Sequence, residues 1–352
     1  MSYRQKKITL RLSLHGKGYH SMEQKVNYAI LGCGAISKTH IKALAQVEKA
    51  VLYAVCDKDE GRAKEAASGT GAVVYTDLDK MLADETVDAV IVLTASGMHG
   101  DMGMRAAKAG KHVIVEKPID ISVEKAKQLI RTCEENNVSL SCIFQHRYDA
   151  DTKALAEAVR EGRLGTLNAG CCHTKWYRGQ AYYDEVDWRG TQKYDGGGAL
   201  MNQGIHQLDL FQYIMGEVDE VFAYCAARAH ERIDVEDLCM ATLKFRNGAL
   251  GILEASTVAT PGFYTRIDIN GSRGSVILQN NAVMEWKIEG EEAYQTQETV
   301  LPHRLQLAEI TESILTGKPS LVNGREALKA LQVVEAIYRS ARTGRPEKVC
   351  YE

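Results

Sequence analysis

The sequence predicts an α/β protein: an N-terminal doubly wound parallel sheet, then an α+β unit on a mostly antiparallel sheet. Three observations carry this. From residue 26 to residue 146, short apolar runs alternate with helical stretches, the pattern of parallel βαβ units. After residue 147 strands follow one another with few helices between them, separated by the hairpin signals Arg246-Asn247-Gly248 and Asn270-Gly271-Ser272. The 352 residues also exceed what one hydrophobic core usually organises, so two domains are expected.

In order, strands are expected at 26–31, 51–56, 73–75, 87–93, 112–115 and 139–144, because each is a short apolar run flanked by turn or helix signals. Helical periodicity fills the intervals at 35–47, 60–68, 78–82, 98–109 and 123–135. The second unit opens with a helix at 152–161 and a strand near 167–176, followed by a polar aromatic loop and a helix near 199–215. Strands at 218–226, 239–245, 250–255, 265–270 and 275–278 make up its sheet, and helices at 305–315 and 327–342 close the chain. The expected division is a basic extension over 1–22, a first domain over 23–146 and a second over 147–352.

Composition excludes several classes of function. The balance of 43 Lys+Arg against 46 Asp+Glu, with no basic stripe, argues against a nucleic-acid partner. No apolar run reaches 18 residues, so no membrane span is expected. Nine cysteines without a Cys-x-x-Cys pair read as reduced thiols of a cytoplasmic protein. Cys171-Cys172-His173 does not suit a metal, since neighbouring strand residues point to opposite faces, and no metal is expected. The first 22 residues carry Arg4, Lys6, Lys7, Arg11 and Lys17 with no acid before Glu23. That is faintly like a transit peptide, but an upstream start codon with Met22 as the natural beginning is the preferred reading.

Gly32-Cys33-Gly34-Ala35-Ile36-Ser37 follows an apolar strand and opens a helix. Two glycines there let the chain turn sharply and bring backbone N–H groups to a pyrophosphate at the helix N-terminus. Ser37 stands where the strict fingerprint has a third glycine. Asp57 ends the second strand 23 residues after Gly34, where an acid accepts hydrogen bonds from the adenosine ribose and repels a 2′-phosphate. A dinucleotide-binding Rossmann domain that prefers NAD to NADP is therefore expected.

Chemistry is expected at the carboxyl ends of the strands, where Glu116-Lys117-Pro118 follows the fifth. A partly desolvated lysine there, near a cationic nicotinamide, has a lowered pKa and suits proton transfer. The second element is Asp195-Gly-Gly-Gly-Ala-Leu-Met-Asn202-Gln-Gly-Ile-His206-Gln-Leu-Asp209. On an α-helix Asn202, His206 and Asp209 share one face, and the three glycines would let backbone approach a ligand.

These motifs, with Thr94-Ala-Ser96-Gly-Met-His99 and Gln145-His146-Arg147 in the same order, resemble the Gfo/Idh/MocA oxidoreductase family over about residues 24–345. The resemblance implies that Lys117 and His206, with Asn202 beside them, serve the reacting carbinol. It places Gly32, Gly34, Ala35, Ile36, Asp57, Thr94, Ser96, His99, Glu116, Gln145, Trp188 and Arg189 at the cofactor. Arg147, Tyr177, Arg178, Tyr183 and Asn202 fall to the substrate. Many members carry Asp where this chain has Asn202; its loss removes a carboxylate that would raise the pKa of His206. Asn here, with Trp176-Tyr177-Arg178, Tyr182-Tyr183, Trp188-Arg189-Gly190-Thr191 and Pro261-Gly262-Phe263, resembles the branch acting on nucleotide-linked N-acetylhexosamines and their uronic acids.

The aromatic and cationic segment from Trp176 to Tyr194 offers flat faces for a sugar ring and cations for phosphate or carboxylate. The expected activity is NAD-dependent oxidation of a pyranose or UDP-sugar hydroxyl, C3 first. The alternatives are oxidation at C3 of a glycoside that starts its cleavage by elimination, and an NAD-binding redox sensor without turnover. An uncovered face of the second sheet predicts a homodimer or homotetramer.

Overall fold

A computed structural model describes residues 24–351, so the basic extension falls outside the described residues. The first sheet holds β1 (Val26–Leu31), β2 (Ala50–Cys56), β3 (Val73–Tyr75), β4 (Ala89–Val92), β5 (His112–Val115) and β6 (Leu140–Cys142). Every neighbouring pair is parallel and the order is β3-β2-β1-β4-β5-β6. All four residues of β4 are fully buried, as expected of a parallel strand covered by helices on both faces. The covering helices are α1 (Ser37–Leu44), α2 (Glu60–Ala67), α3 (Leu78–Ala83), α4 (His99–Lys108) and α5 (Val123–Glu135). Asp59, Asp77 and Ser122 accept backbone N–H bonds at the starts of α2, α3 and α5, which sets where those helices begin. The order reverses between β1 and β4, and the crevice above their carboxyl ends is where such a sheet binds ligands.

The second unit comprises α6 (Ala150–Arg160), β7 (Leu167–Lys175), α7 (Gln180–Asp184), α8 (Ile205–Met215), β8 (Val218–Ala226), β9 (Leu238–Phe245), β10 (Leu250–Ser256), β11 (Thr265–Gly271), β12 (Gly274–Gln279) and β13 (Ala282–Ile288). Helices α9 (Pro302–Thr316) and α10 (Gly324–Thr343) and the short β14 (Glu347–Lys348) complete it. Its strands run β13-β12-β11-β7-β10-β9-β8-β14, antiparallel except for β7 against β10. Strict in–out alternation along β9 buries Cys239, Ala241, Leu243 and Phe245 and leaves Met240, Thr242 and Lys244 exposed.

Beyond the short α7 and β14, three features depart from the expectation. Strand β13 was not expected; it lies at the sheet edge, where Met284 and Glu285 are exposed and the apolar signal is weak. The helix expected over 199–215 is a π-helical segment, Ala199–Gly204, continued by α8. The division at residue 146 also fails to capture α9, which folds back onto the first sheet. Leu307 and Ile310 join the core around Val26, Tyr28 and Ile30, and Tyr28 Oη lies 2.8 Å from Thr311 Oγ1. All nine cysteines are free thiols. Among the described residues no helix is long and apolar enough to cross a membrane.

Candidate active site

A cleft of about 1690 Å³ opens over the carboxyl ends of the first sheet. It exceeds the roughly 300–1,000 Å³ of ordinary small-molecule pockets, as a site for a dinucleotide and a second ligand must. Gly32, Gly34, Ala35, Ile36, Asp57, Thr94, Ser96, His99, Glu116, Gln145, Trp188 and Arg189 all line it, with Lys117, Asn202 and His206. Gly32 has φ +98°, and a Cβ there would sit 2.7 Å from the Leu93 carbonyl oxygen. A Cβ on Gly34 would project into open space, so this glycine leaves a cradle at the start of α1 for the pyrophosphate. Gln145 Oε1 is buried and unpartnered, an acceptor suited to a carboxamide N–H such as that of nicotinamide.

Asp57 is committed on both oxygens. Oδ2 accepts from Cys33 N at 2.8 Å, and Oδ1 accepts from Asp59 N at 2.9 Å and Arg62 Nη2 at 3.1 Å. Arg62 was not singled out from the sequence; its only signal is that it lies one helical turn into α2. Replacing Asp57 by Ser is expected to release that guanidinium toward a 2′-phosphate. The affinity ratio of NADH to NADPH, titrated by cofactor fluorescence, should then fall by about tenfold or more. Equal affinities in the unmodified protein would defeat the expectation.

Glu116 follows β5 and is braced by two histidines the sequence did not reveal. His40 Nε2 lies 2.8 Å from Glu116 Oε1 and His303 Nε2 lies 4.0 Å from it. Burial pushes the Glu116 carboxyl up, but the His40 hydrogen bond and the charges of His40, Lys117 and His303 outweigh it and hold the pKa at about 2. His40, Glu116 and His303 bring their ligand atoms within 4.8 Å of one another, and the 2.8 Å contact between His40 and Glu116 is that of a hydrogen bond. His99 lines the cleft, but its nitrogens face the carbonyls of Pro118 at 2.7 Å and Thr94 at 3.1 Å. It ties two cofactor loops together.

Lys117 Nζ donates to the Asn202 carbonyl at 2.7 Å. That carbonyl lies in the π-helical segment, a geometry that widens the turn and is frequent at functional sites. Burial lowers the Lys117 pKa against the opposing pull of Glu116 and Asp195. His206 is lowered well below its ordinary value, by burial first and then by Lys117, His146 and His303. Its Nδ1 is buried without a partner. The site thus holds a neutral imidazole and an acidified lysine around one cavity, the pairing a reversible alcohol proton transfer needs. The carboxylate missing at Asn202 is supplied from elsewhere: Asn202 Nδ2 donates to Asp195 Oδ1 at 2.6 Å.

The substrate residues expected from the sequence land differently. Arg147 is 3% exposed and grips Asp209 through Nε at 2.8 Å and Nη2 at 2.7 Å. Both are therefore interior, and Asp209 does not join Asn202 and His206 at the cleft. Tyr183 is buried against Thr257, with 2.9 Å between their hydroxyls, whereas Tyr182 lines the cleft. Successive residues of α7 point about 100° apart, so only one of the pair can face it. Tyr177 is exposed and lines neither the cleft nor the cavity beside it. Arg178 lines neither as well; its guanidinium lies over Trp176 at 5.1 Å and Tyr182 at 5.3 Å. Arg189 stays at the mouth, 4.2 Å above the Tyr182 ring.

The three glycines do not serve close approach to a ligand. A Cβ on Gly196 would meet Ile121 at 2.3 Å, on Gly197 the Tyr338 hydroxyl at 2.1 Å, and on Gly198 the Glu236 carbonyl oxygen at 1.7 Å. They admit a packed interior. Glu236 supplies the cap: its carboxylate accepts from Gly198 N at 3.0 Å and Leu200 N at 2.9 Å, and Tyr338 Oη donates to it at 2.8 Å.

A dinucleotide crevice joined to a lysine–histidine pair defines an NAD-dependent oxidoreductase acting on a CH–OH group. Residues 26–144 match the NAD-binding Rossmann model of the Gfo/Idh/MocA oxidoreductases, and residues 156–350 match that family's C-terminal α/β domain. The chain belongs to the Gfo/Idh/MocA oxidoreductase family. It is similar to the WlbA dehydrogenase of Bordetella pertussis, solved with NADH and UDP-GlcNAcA: 34% identity, TM-score 0.87, covering 94% of this chain and 100% of that one. It is 29% identical to a myo-inositol 2-dehydrogenase of Thermotoga maritima, over 91% of this chain and 97% of the relative. A scyllo-inositol 2-dehydrogenase (NAD(+)) of Bacillus subtilis is 28% identical over 92% and 96% respectively.

Proposed function

We propose that this enzyme transfers hydride between NAD and a ring hydroxyl of a pyranose or UDP-sugar, with C3 the position oxidised. The observation that carries it is the side cavity of about 190 Å³ sharing His206 and Gln203 with the cofactor cleft. It has room for one ring and is lined by side-chain amides, a threonine, histidines and Trp176, a set suited to hydroxyls and an apolar ring face. NAD, when bound, supplies the hydride acceptor. Lys117 and His206 hold and move the alcohol proton, and Glu116, kept ionised, accepts hydroxyl hydrogens of the cofactor ribose. Likeness to a UDP-GlcNAcA-bound dehydrogenase supports a nucleotide-linked ring, and the inositol dehydrogenases support a free cyclitol as the second reading.

A panel of UDP-sugars, pyranosides, inositols and aryl glycosides, followed by NADH formation, tests the reading. Reduction of NAD by the pyranose members, with a 3-keto product by mass spectrometry and NMR, is expected. Release of free aglycone would redirect it to glycoside cleavage. Turnover only of acyclic or aromatic alcohols would refute it. We further propose a homodimer or homotetramer through the outer face of the second sheet, where Tyr224, Met240, Leu250 and Ile252 are exposed. A monomer by light scattering at micromolar concentration would contradict that.

A further inference from the structure

The turn between β12 and β13 carries two consecutive non-glycine residues in the left-handed region, Asn280 at φ 50° and Asn281 at φ 63°. Such a pair matches a type I′ hairpin turn, which asparagine tolerates better than most residues. Backbone in this region persists where its surroundings hold it, and it gathers at ligand sites. Here both asparagines line the side cavity next to His206.

Asn281 is the centre of a small polar network. Its Nδ2 lies 2.8 Å from His146 Nδ1, and its Oδ1 accepts from Gln207 Nε2 at 3.0 Å. His146 Nδ1 also lies 2.8 Å from Asp149 Oδ2, and its single in-plane position serves one of these partners at a time, accepting from Asn281 or donating to Asp149. With Nδ1 so occupied, Nε2 is the ring nitrogen left to meet a ligand. Asn280 Oδ1 accepts from Thr265 N at 3.1 Å, which leaves its NH₂ group as a donor. Gln207 gives one Nε2 hydrogen to Asn281, and its Oε1 remains as an acceptor. The cavity therefore presents a donor, an acceptor and an imidazole nitrogen beside His206, whose ring centroid lies 5.3 Å from that of His146. A flexible set of amides would lose affinity to side-chain ordering; the Asn281 bridge fixes these groups before the substrate arrives.

We propose that the Asn280–Asn281 turn, with His146 and Gln207, is the specificity element of this enzyme, holding the substrate ring by the hydroxyls beside the one that is oxidised. This rests on the ring-oxidation reading above. Asp149 is a positioning residue that acts through His146.

The test compares a turned-over ring alcohol with its analogues lacking one hydroxyl next to the oxidised carbon. Asn281→Gly keeps the left-handed turn and removes the bridge; His146→Gln removes the imidazole. Sugar binding to the enzyme–NADH complex is read from quenching of NADH fluorescence, alongside kcat and KM. The wild type should reject at least one deoxy analogue by about tenfold or more, and both variants should lose that rejection. KM for the full substrate should rise more than kcat falls. Asn281→Gly should keep the wild-type NADH affinity. An Asn281→Gly enzyme that still rejects the deoxy analogue like the wild type, or that loses NADH affinity in step with sugar affinity, overturns the proposal while ring oxidation stands. If the wild type oxidises no ring alcohol, both readings fall together.

Discussion

Lys117→Ala and His206→Ala should each lower turnover by roughly two to four orders of magnitude, with NADH binding retained. The loss should appear in kcat and in kcat/KM alike, since an alcohol proton in flight is a transition-state feature. NADH affinity should survive because the cradle at Gly34, the Asp57 carboxylate and the free Gln145 Oε1 hold their places through contacts that involve neither side chain. The pH profile adds a second reading. Burial first, and then the neighbouring Lys117, lower His206 below the ordinary 6.5, so the base-competent imidazole persists as pH falls through that value. Activity on kcat/KM should therefore hold below pH 6.5 and drop only as His206 gains its proton, later than for an unperturbed histidine. Near-normal turnover of either variant would remove that residue from the chemistry.

Gly198→Ala should be the most damaging methyl group added at any of the described glycines. Its Cβ would lie 1.7 Å from the Glu236 backbone oxygen and 2.9 Å from Val235, and backbone cannot swing aside as a flexible side chain can. Relief requires parting the β8–β9 connection from the start of the helical segment that carries Asn202 and His206, where Glu236 caps Gly198 and Leu200. A loss of about 3 kcal/mol or more is expected, beyond the usual range for a point change. Insoluble protein, or a urea midpoint far below wild type with turnover lost in whatever folds, is the expected result. Gly34→Ala is the contrast: its Cβ enters open space, so the fold should survive while NADH affinity falls. A Gly198→Ala enzyme with wild-type stability would show that the packing here yields.

The cofactor half of the site was legible because its signals are local. A strand, a glycine turn and an acid at the end of the next strand meet within one βαβ unit, so short-range spacing suffices to place Gly32, Gly34 and Asp57. Lys117 was legible by topology, since every parallel strand delivers its carboxyl end to the same crevice. The substrate half was misread at Arg147, Tyr183 and the three glycines. A cation, a phenol or a glycine looks the same in sequence whether it meets a ligand or another side chain. Arg147 meets Asp209 and Glu326, and those pairings span 62 and 179 residues.

By itself the sequence determined the two-unit α/β architecture and the dinucleotide crevice, which follow from periodicity and spacing within a few tens of residues. Lys117 and His206 were singled out through the family resemblance of the motifs that carry them. Only the tertiary structure decided what surrounds them. It turned the helix start at Asn202 into a π segment whose carbonyl holds Lys117, set His40 and His303 against Glu116, and returned α9 to the first sheet. It also carried Asn281 across 135 residues to His146. Contacts between distant segments are chosen by how whole elements pack, and that choice is made by buried surface and shape across the entire chain.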